Sequence, residues 1–313
     1  MSSLPTKEMV VPAPLNGRVV LVTGGGRGIG RSHCHALAQL GAAVVVNDPG
    51  VGRDGEGRSE GARLAGTVVD EIERAGGTAI AHTGSVAIWD DAADMVHTAI
   101  DTFGTLTGVV NNAGILRDAT VVSTTESDWD AVIAVHLKGT VAVTHHACNY
   151  WRNQFKAGNR IEARVVNTVS GSGLWGNIGQ SAYGAAKAAV ANFTTAVALE
   201  ADRYGVTANA ISPLAMSRMS EQLLADRADD PALDPGRSSA VVAWLQSVES
   251  AWLTGQILRI NGDTLTRIHG FTEAPPRYRA ADGVALQFSE IGSAARWLWD
   301  TLPRGLAGPL PHR

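Results

Sequence analysis

Residues 18–30, RVVLVTGGGRGIG, run from an apolar β-branched stretch through a glycine-rich turn into the start of an amphipathic stretch. A strand covered by helices on both faces needs such an uninterrupted apolar run, and parallel strands are covered in that way. The alternation then repeats. AAVVVND, ARLAGTVVDEIERAGG and TAIAHT follow, then TLTGVVNNAG, a long stretch from Ser127 to Phe155, ARVVNTVS, a helix from Tyr183 to Tyr204, TANAIS and GQILRING. These β-α-β units show no internal repeat and no shift of composition. They predict an α/β fold: a single-domain, doubly wound (Rossmann) parallel sheet of seven strands over residues 15–265. Residues 266–313 are expected to form a C-terminal extension, an arm and a short helix packed on the domain or between subunits.

The glycine-rich turn carries chemistry because of where it sits. Gly24, Gly28 and Gly30 follow a strand and open a helix. There, bare N–H groups at the positive helix end can meet a pyrophosphate. That context favours a dinucleotide site over a simple turn. Asp48 closes the second strand 24 residues beyond Gly24. At that offset a carboxylate meets the adenosine ribose hydroxyls and repels a 2'-phosphate, so NAD is expected in preference to NADP. Arg27, Arg53 and Arg58 lie near enough in sequence to leave a phosphate contact open. Residues 49–60, PGVGRDGEGRSE, are too rich in glycine and charge for a regular element and read as a mobile loop.

The composition narrows the partners. With 45% hydrophobic and 18% charged residues the chain can bury a large core, and a net charge of −4 gives no footprint for nucleic acid. No apolar run reaches the roughly 18 residues of a membrane span, and the N-terminal stretch has no leader pattern, so a cytoplasmic location is expected. Cys34 and Cys148 form no disulfide framework or zinc motif and are expected as free thiols. His33, His35, His145 and His146 lack carboxylate partners at ligand spacing, so no metal is expected.

SAYGAAKAAV, residues 181–190, holds Tyr183 and Lys187 four residues apart on what should be one helix face. A free phenol has a pKa near ~10 and an adjacent cation lowers such values by about 1–3 units, so the pair can support proton transfer. Ser170 lies in TVSGSG, which lacks a nucleophile elbow, so hydrolase chemistry is disfavoured.

TGGGRGIG, NNAG at 111–114, and Ser170 thirteen residues before YGAAK together resemble the short-chain dehydrogenase/reductase family over roughly residues 15–265. The resemblance implies that Ser170 and Tyr183 bind the reacting oxygen and that Tyr183 is the general acid/base. It implies that Lys187 holds the nicotinamide ribose and lowers the Tyr183 pKa. It also places Thr23, Gly24, Arg27, Gly28, Ile29, Gly30, Asp48, Ser85, Val86, Asn112, Ala113, Gly114, Tyr183, Lys187 and Pro213 at the cofactor. Three positions depart from the family pattern. His136, in AVHLKGT, stands where an Asn usually holds a relay water through its carbonyl, and the same backbone role is expected of it. Ser85 replaces an acidic residue near the end of the third strand. Leu214 replaces the glycine of a Pro-Gly turn, so the loop over the nicotinamide must turn without it.

VHLKG, VVVNDPG, NNAGILRD, GNIGQSAY and SRMSE are similar to the 3-hydroxyacyl-CoA dehydrogenase domain of peroxisomal multifunctional β-oxidation enzymes and their bacterial relatives. This implies an NAD-dependent oxidoreductase acting on a secondary alcohol, a 3-hydroxyacyl-CoA with a long or polycyclic acyl group. The alternatives are a free hydroxysteroid or small-alcohol dehydrogenase and, from another class, a nucleotide-binding sensor or scaffold without turnover. Met216, Met219, Leu223 and Leu224 are candidates for an apolar substrate cover or for a helix packed on the core. A homodimer or homotetramer is expected, with Ala185, Ala188, Ala189 and Ala191 allowing close approach of the Tyr183 helix to a second copy.

Overall fold

The first strand, β1 (Val19–Thr23), is buried at every residue and sits between β2 (Ala43–Asn47) and β4 (Gly108–Asn111), parallel to both. In this computed structural model, which describes residues 13–57, 61–215, 226, 230–270, 278–279 and 288–298, the sheet continues outward from that centre. On one side lies β3 (Thr78–His82); on the other lie β5 (Ala163–Thr168), β6 (Val206–Leu214), β7 (Ile257–Asn261) and β8 (Thr264–Ile268), in the order β3-β2-β1-β4-β5-β6-β7-β8.

The unbroken apolar runs are explained by two cores, one on each face. Val19 and Leu21 join Val45, Val109, Val165 and Ala208 on one side. Val20 and Val22 join Val44, Val46, Val110 and Val166 on the other. The first face is covered by α3 (Trp89–Phe103), α5 (Gly139–Lys156) and α7 (Ser181–Ala201), which contribute Met95, Trp151 and Val197. The second is covered by α1 (Gly28–Gln39), α2 (Gly61–Arg74) and α8 (Gly236–Gln246), through Leu37, Ile72 and Leu245. Burying each such side chain stabilises the fold by about 1.5–3 kcal/mol, which makes a polar substitution on either face of β1 costly.

Seven strands are parallel, as expected, but the sheet has an eighth. β8 is antiparallel to β7, and Asn261 pairs with Thr264 across a two-residue turn in which Gly262 has φ +60°. The sequence ING-D-TLTRI carries this hairpin signal: a glycine able to adopt positive φ and an alternating polar strand after it. β8 crosses the boundary drawn at residue 265, and the first compact unit of the chain ends at Ile268. Beyond it, α9 spans Phe288–Leu298. The stretch from Ser127 to Phe155 is also interrupted. It comprises α4 (Glu126–Ile133), a single π turn (Ala134–Lys138) and α5.

α1 and α8 meet through a buried histidine. His33 is fully buried, its Nδ1 lies 2.8 Å from Ser239 Oγ, and burial lowers its pKa to about 3. Unfolded, the same imidazole takes up a proton near pH 6.5. Stability is therefore complete above about pH 6.5 and is lost as the pH falls towards 3, at about 1.4 kcal/mol per unit. Between pH 6.5 and 5, urea denaturation should show a loss of about 2 kcal/mol from this residue, and His33→Gln should remove that part of the slope. An unchanged pH slope in the variant would contradict the assignment.

Candidate active site

The carboxyl ends of β1 and β4 are cross-linked by hydrogen bonds that the side chains of Thr23 and Asn112 make. Thr23 Oγ1 accepts from the backbone N–H groups of Asn112 (3.0 Å) and Ala113 (3.1 Å). The Asn112 amide donates to the carbonyls of Thr23 (3.1 Å) and Gly24 (3.2 Å). Such close approach excludes side chains. A Cβ on Gly24, which has φ +64°, would lie 2.9 Å from Ala113 Cα, and one on Gly30 would collide with the Gly24 carbonyl.

This junction is the topological switch point of the sheet, where doubly wound folds bind ligands. A groove of about 220 Å³ lies there, and Gly24, Arg27, Gly28, Ile29 and Gly30 line it. Asp48 lines it too, as do Ser85 and Val86 from the end of β3 and Asn112, Ala113 and Gly114 beyond β4. The N-cap of α1, Arg27, makes no side-chain cap, and the first turn of that helix holds no acidic residue. Its N–H groups are thus suited to an anion. Asp48 is buried, with Oδ2 accepting from Gly26 N (3.0 Å) and Oδ1 from Gly50 N (2.8 Å). Only glycine at 26 permits this, since a Cβ there would sit 2.7 Å from Oδ2. Bare glycines, an uncapped helix end and a fixed carboxylate form a cradle that fits a dinucleotide. Of the expected loop 49–60, the described residues 49–57 form no regular element and make another wall of the groove, lined by Val51, Gly52, Arg53 and Gly55.

Tyr183 and Lys187 lie one turn apart on α7, as their spacing predicts. Lys187 is buried, donates to the Thr168 carbonyl at 2.6 Å, and places Nζ 5.8 Å from the centre of the Tyr183 ring. Burial lowers its pKa to about 7. Burial also raises the Tyr183 phenol above its ordinary value; the Ser170 hydroxyl pulls it down and the Asp118 carboxylate pushes it up. Among the chain's own groups the lowering comes from Ser170 and not from Lys187, and burial dominates. Ser170 ends the turn after β5 and caps the short helix α6 (Gly171–Trp175), accepting from Ser172 N at 3.2 Å.

His136 sits in the π turn. Its Nε2 is 2.7 Å from the Ile115 carbonyl and 3.1 Å from the Ile115 N–H, and its ring meets the edge of Tyr183 at 5.1 Å. Nε2 serves both contacts according to tautomer: unprotonated it accepts from the Ile115 N–H, and protonated it donates to the Ile115 carbonyl. Its pKa falls to about 3, first through burial and then through the Lys187 charge. The His136 carbonyl accepts from Thr140 Oγ1 at 2.7 Å. The side chain therefore has a bonding role that the sequence reading did not anticipate: it ties the π turn to the Asn112–Ile115 loop.

Other expectations fare differently. The N–H of Ser85 is held by Asp91 Oδ2 at 2.7 Å, so an acid is present but comes from α3. Of the expected cofactor residues, Thr23, Tyr183, Lys187 and Pro213 do not line this groove; Pro213 lies in β6, which continues through Leu214 paired with Asn261. Met216, Met219, Leu223, Leu224 and the segment SRMSE lie outside the described residues. On α7, Ala185 is exposed, but Ala191 packs inward with Val169 and Val190. Among the described residues no helix is long and apolar enough to cross a membrane, and no His, Cys, Asp and Glu cluster is suited to a metal.

Three groups near the candidate site were not singled out from sequence. Gln180 accepts from Ser172 Oγ at 2.6 Å and donates to the Asp118 carboxylate at 3.2 Å, so a polar chain leads from the surface towards Ser170. The signal was present in GQSAY and NNAGILRD, but a lone amide or acid in a loop has no diagnostic spacing.

A family model described as short chain dehydrogenase matches residues 18–228. Hydroxyacyl-CoA dehydrogenase ChsB1 of Mycobacterium tuberculosis is 37% identical over 90% of this chain and 88% of its own length. Peroxisomal multifunctional enzyme type 2 of Drosophila melanogaster is 42% identical over 81% of this chain, which spans only 40% of that protein. A crystal structure of a short chain dehydrogenase from Mycobacterium avium, 43% identical, superposes with a TM-score of 0.82 over 95% of this chain and 98% of that one. The sheet order, the glycine cradle at the switch point and these similarities agree: the chain belongs to the short-chain dehydrogenase/reductase family and is an oxidoreductase acting on CH–OH groups.

Proposed function

We propose that the chain is an NAD-dependent dehydrogenase that interconverts a 3-hydroxyacyl-CoA and the matching 3-oxoacyl-CoA. The observation that carries this reading is the meeting of Ser170, Tyr183 and Lys187 around the α7 face, with a buried carboxylate, Asp48, in the dinucleotide groove. Bound NAD would supply the hydride acceptor at nicotinamide C4 and, when oxidised, a positive charge beside the phenol. Tyr183 Oη takes the proton of the substrate hydroxyl, and the Ser170 hydroxyl donates to the same oxygen as it becomes a carbonyl. Lys187, anchored on Thr168 O, holds the ribose and stabilises the phenolate while protonated.

The thioester class rests on the similarity to proteins named as hydroxyacyl-CoA dehydrogenases. An apolar rim supports it. Ala119 and Gln180 form an isolated parallel bridge, and Val121, Val122 and Ile178 flank it with exposures of 77%, 94% and 85%. Such a rim suits an acyl chain better than a small alcohol. A homo-oligomer is part of the reading, with α7 at the contact through Ala185 and the exposed Leu199.

Turnover followed by NADH absorbance, over CoA thioesters of increasing length and their free alcohols, tests the whole. The thioesters should lead in kcat/KM and NAD should be preferred to NADP. A tenfold preference for NADP, about 1.4 kcal/mol the other way, would overturn the role of Asp48. Turnover of free alcohols alone would replace the substrate class, and binding without turnover of any alcohol would leave a sensor.

The division of labour at α7 has its own signature. Tyr183→Phe should keep NADH binding while turnover falls by about 100-fold or more. Lys187→Met should weaken cofactor binding and, in the oxidation direction where Tyr183 acts as base, move the acid-side limb of the pH-rate profile upward. His136→Phe keeps an aromatic ring but leaves the buried Ile115 backbone without its imidazole partner, so stability should fall by about 1–3 kcal/mol, with the pH limbs in place. A shifted limb in that variant would show that the imidazole moves protons.

A further inference from the structure

The segment between β2 and α2 is tied to both rims of the dinucleotide groove. On the α1 side, Arg27 Nη2 donates to the Val51 carbonyl at 2.7 Å. At the root, Gly50 N donates to Asp48 Oδ1. On the β4 side, Leu116 N donates to the Arg53 carbonyl at 3.0 Å. Gly55, at φ +90°, lies so close to Ile115 that a Cβ would meet its Cδ1 at 3.0 Å.

Arg117 makes the most connections in this set. Its Nε donates to the Asp54 carbonyl (2.8 Å), its Nη2 to Glu56 Oε1 (3.0 Å), and its Nη1 to Asp128 Oδ1 (3.0 Å) in the first turn of α4. Its side chain is only 18% exposed, although Glu56 is 72% exposed. The planar guanidinium thus joins the segment to the helix that leads into the π turn of His136. A lysine, with one point of attachment, cannot hold three acceptors in that geometry.

We propose that Arg117 is a positioning residue for the cofactor: it fastens residues 50–56 as a strap along the groove beside Asp48 and thereby sets how slowly the dinucleotide leaves. The inference rests on the dinucleotide reading of the groove. The strap residues Val51, Gly52, Arg53 and Gly55 line the same groove as the α1 turn, so a bound dinucleotide meets the strap, and release requires the strap to lift. Lifting breaks the contacts to Asp54 and Glu56, while Asp128 keeps Arg117 in place for reclosure. Asp128 is itself fixed, accepting from Thr125 Oγ1 at 2.6 Å.

NADH release measured by stopped-flow fluorescence tests this on the full chain. Arg117→Ala should raise the dissociation rate and the Kd together by about tenfold or more, with the association rate little altered, since changes within one interface fall mainly on dissociation. Single-turnover oxidation at saturating NAD should keep its rate, so the change falls on KM and release. Arg117→Lys should recover only part of the slow release. Glu56→Ala, on an exposed side chain, gives a second reading that does not depend on the Arg117 variant folding. It should speed release by about two- to threefold and remove part of the salt dependence expected of an exposed ion pair. NADH release at the parent rate in either the alanine variant of Arg117 or that of Glu56 would overturn the proposal. Failure of the parent chain to bind NADH would instead overturn the dinucleotide reading beneath it.

Discussion

The cross-link between Thr23 and Asn112 is the contact on which the rest of the site depends. β1 and β4 are neighbours in the sheet but far apart in sequence, and their carboxyl ends would diverge with the sheet's twist if nothing joined them. Hydrogen bonds of these two side chains fix the two turns that follow. One turn delivers the glycine cradle and the uncapped end of α1; the other delivers Ala113, Gly114 and Ile115. From Ile115 the arrangement passes to His136 and from there to Tyr183, so the acid/base end of the site is registered against the cofactor end through contacts at each step. A second buried ladder works beneath it. The Asn111 amide donates to Thr144 and Asn167, and the Asn167 amide to Thr194, which ties β4 and β5 to α5 and α7.

The electrostatics follow from where that geometry leaves the titratable groups. Tyr183, Lys187 and His136 are all pushed towards their neutral forms, with burial as the leading cause in each case. In the proposed mechanism this matters because the site then changes character when a cationic cofactor enters. The phenol gains a further partner for its anionic form when the hydride acceptor is in place, so proton transfer is coupled to cofactor binding. His136 stays neutral throughout the working range, which suits a residue that holds a loop and not one that exchanges protons.

Much of this was legible in the sequence because period and spacing encode it. The apolar runs at β1, β2 and β5 have one explanation, burial on both faces, and the glycines at 24, 28 and 30 make sense only between a strand and a helix. Tyr183 and Lys187 share a helix face by arithmetic. What was not legible depends on the path of the backbone. β8 escaped notice because TLTRI is polar and short, and its identity comes from the Gly262 turn that pairs it with β7. The loop 49–57 looked unstructured by composition, yet its carbonyls are claimed by Arg27, Leu116 and Arg117, from segments near and remote in sequence. The π turn that presents His136 has no compositional mark, and the continuation of β6 through Leu214 follows from its ladder with β7.

The central claim is that the groove beside Asp48 and the hydroxyls of Ser170 and Tyr183 belong to one reaction site. A crystal structure of the protein with NAD and a 3-hydroxyacyl-CoA tests it most directly. The account predicts the adenosine ribose hydroxyls on the Asp48 carboxylate, and the substrate oxygen within hydrogen-bond distance of both Ser170 Oγ and Tyr183 Oη. A substrate oxygen bound away from Tyr183, or an adenosine that leaves Asp48 uncontacted, would contradict it.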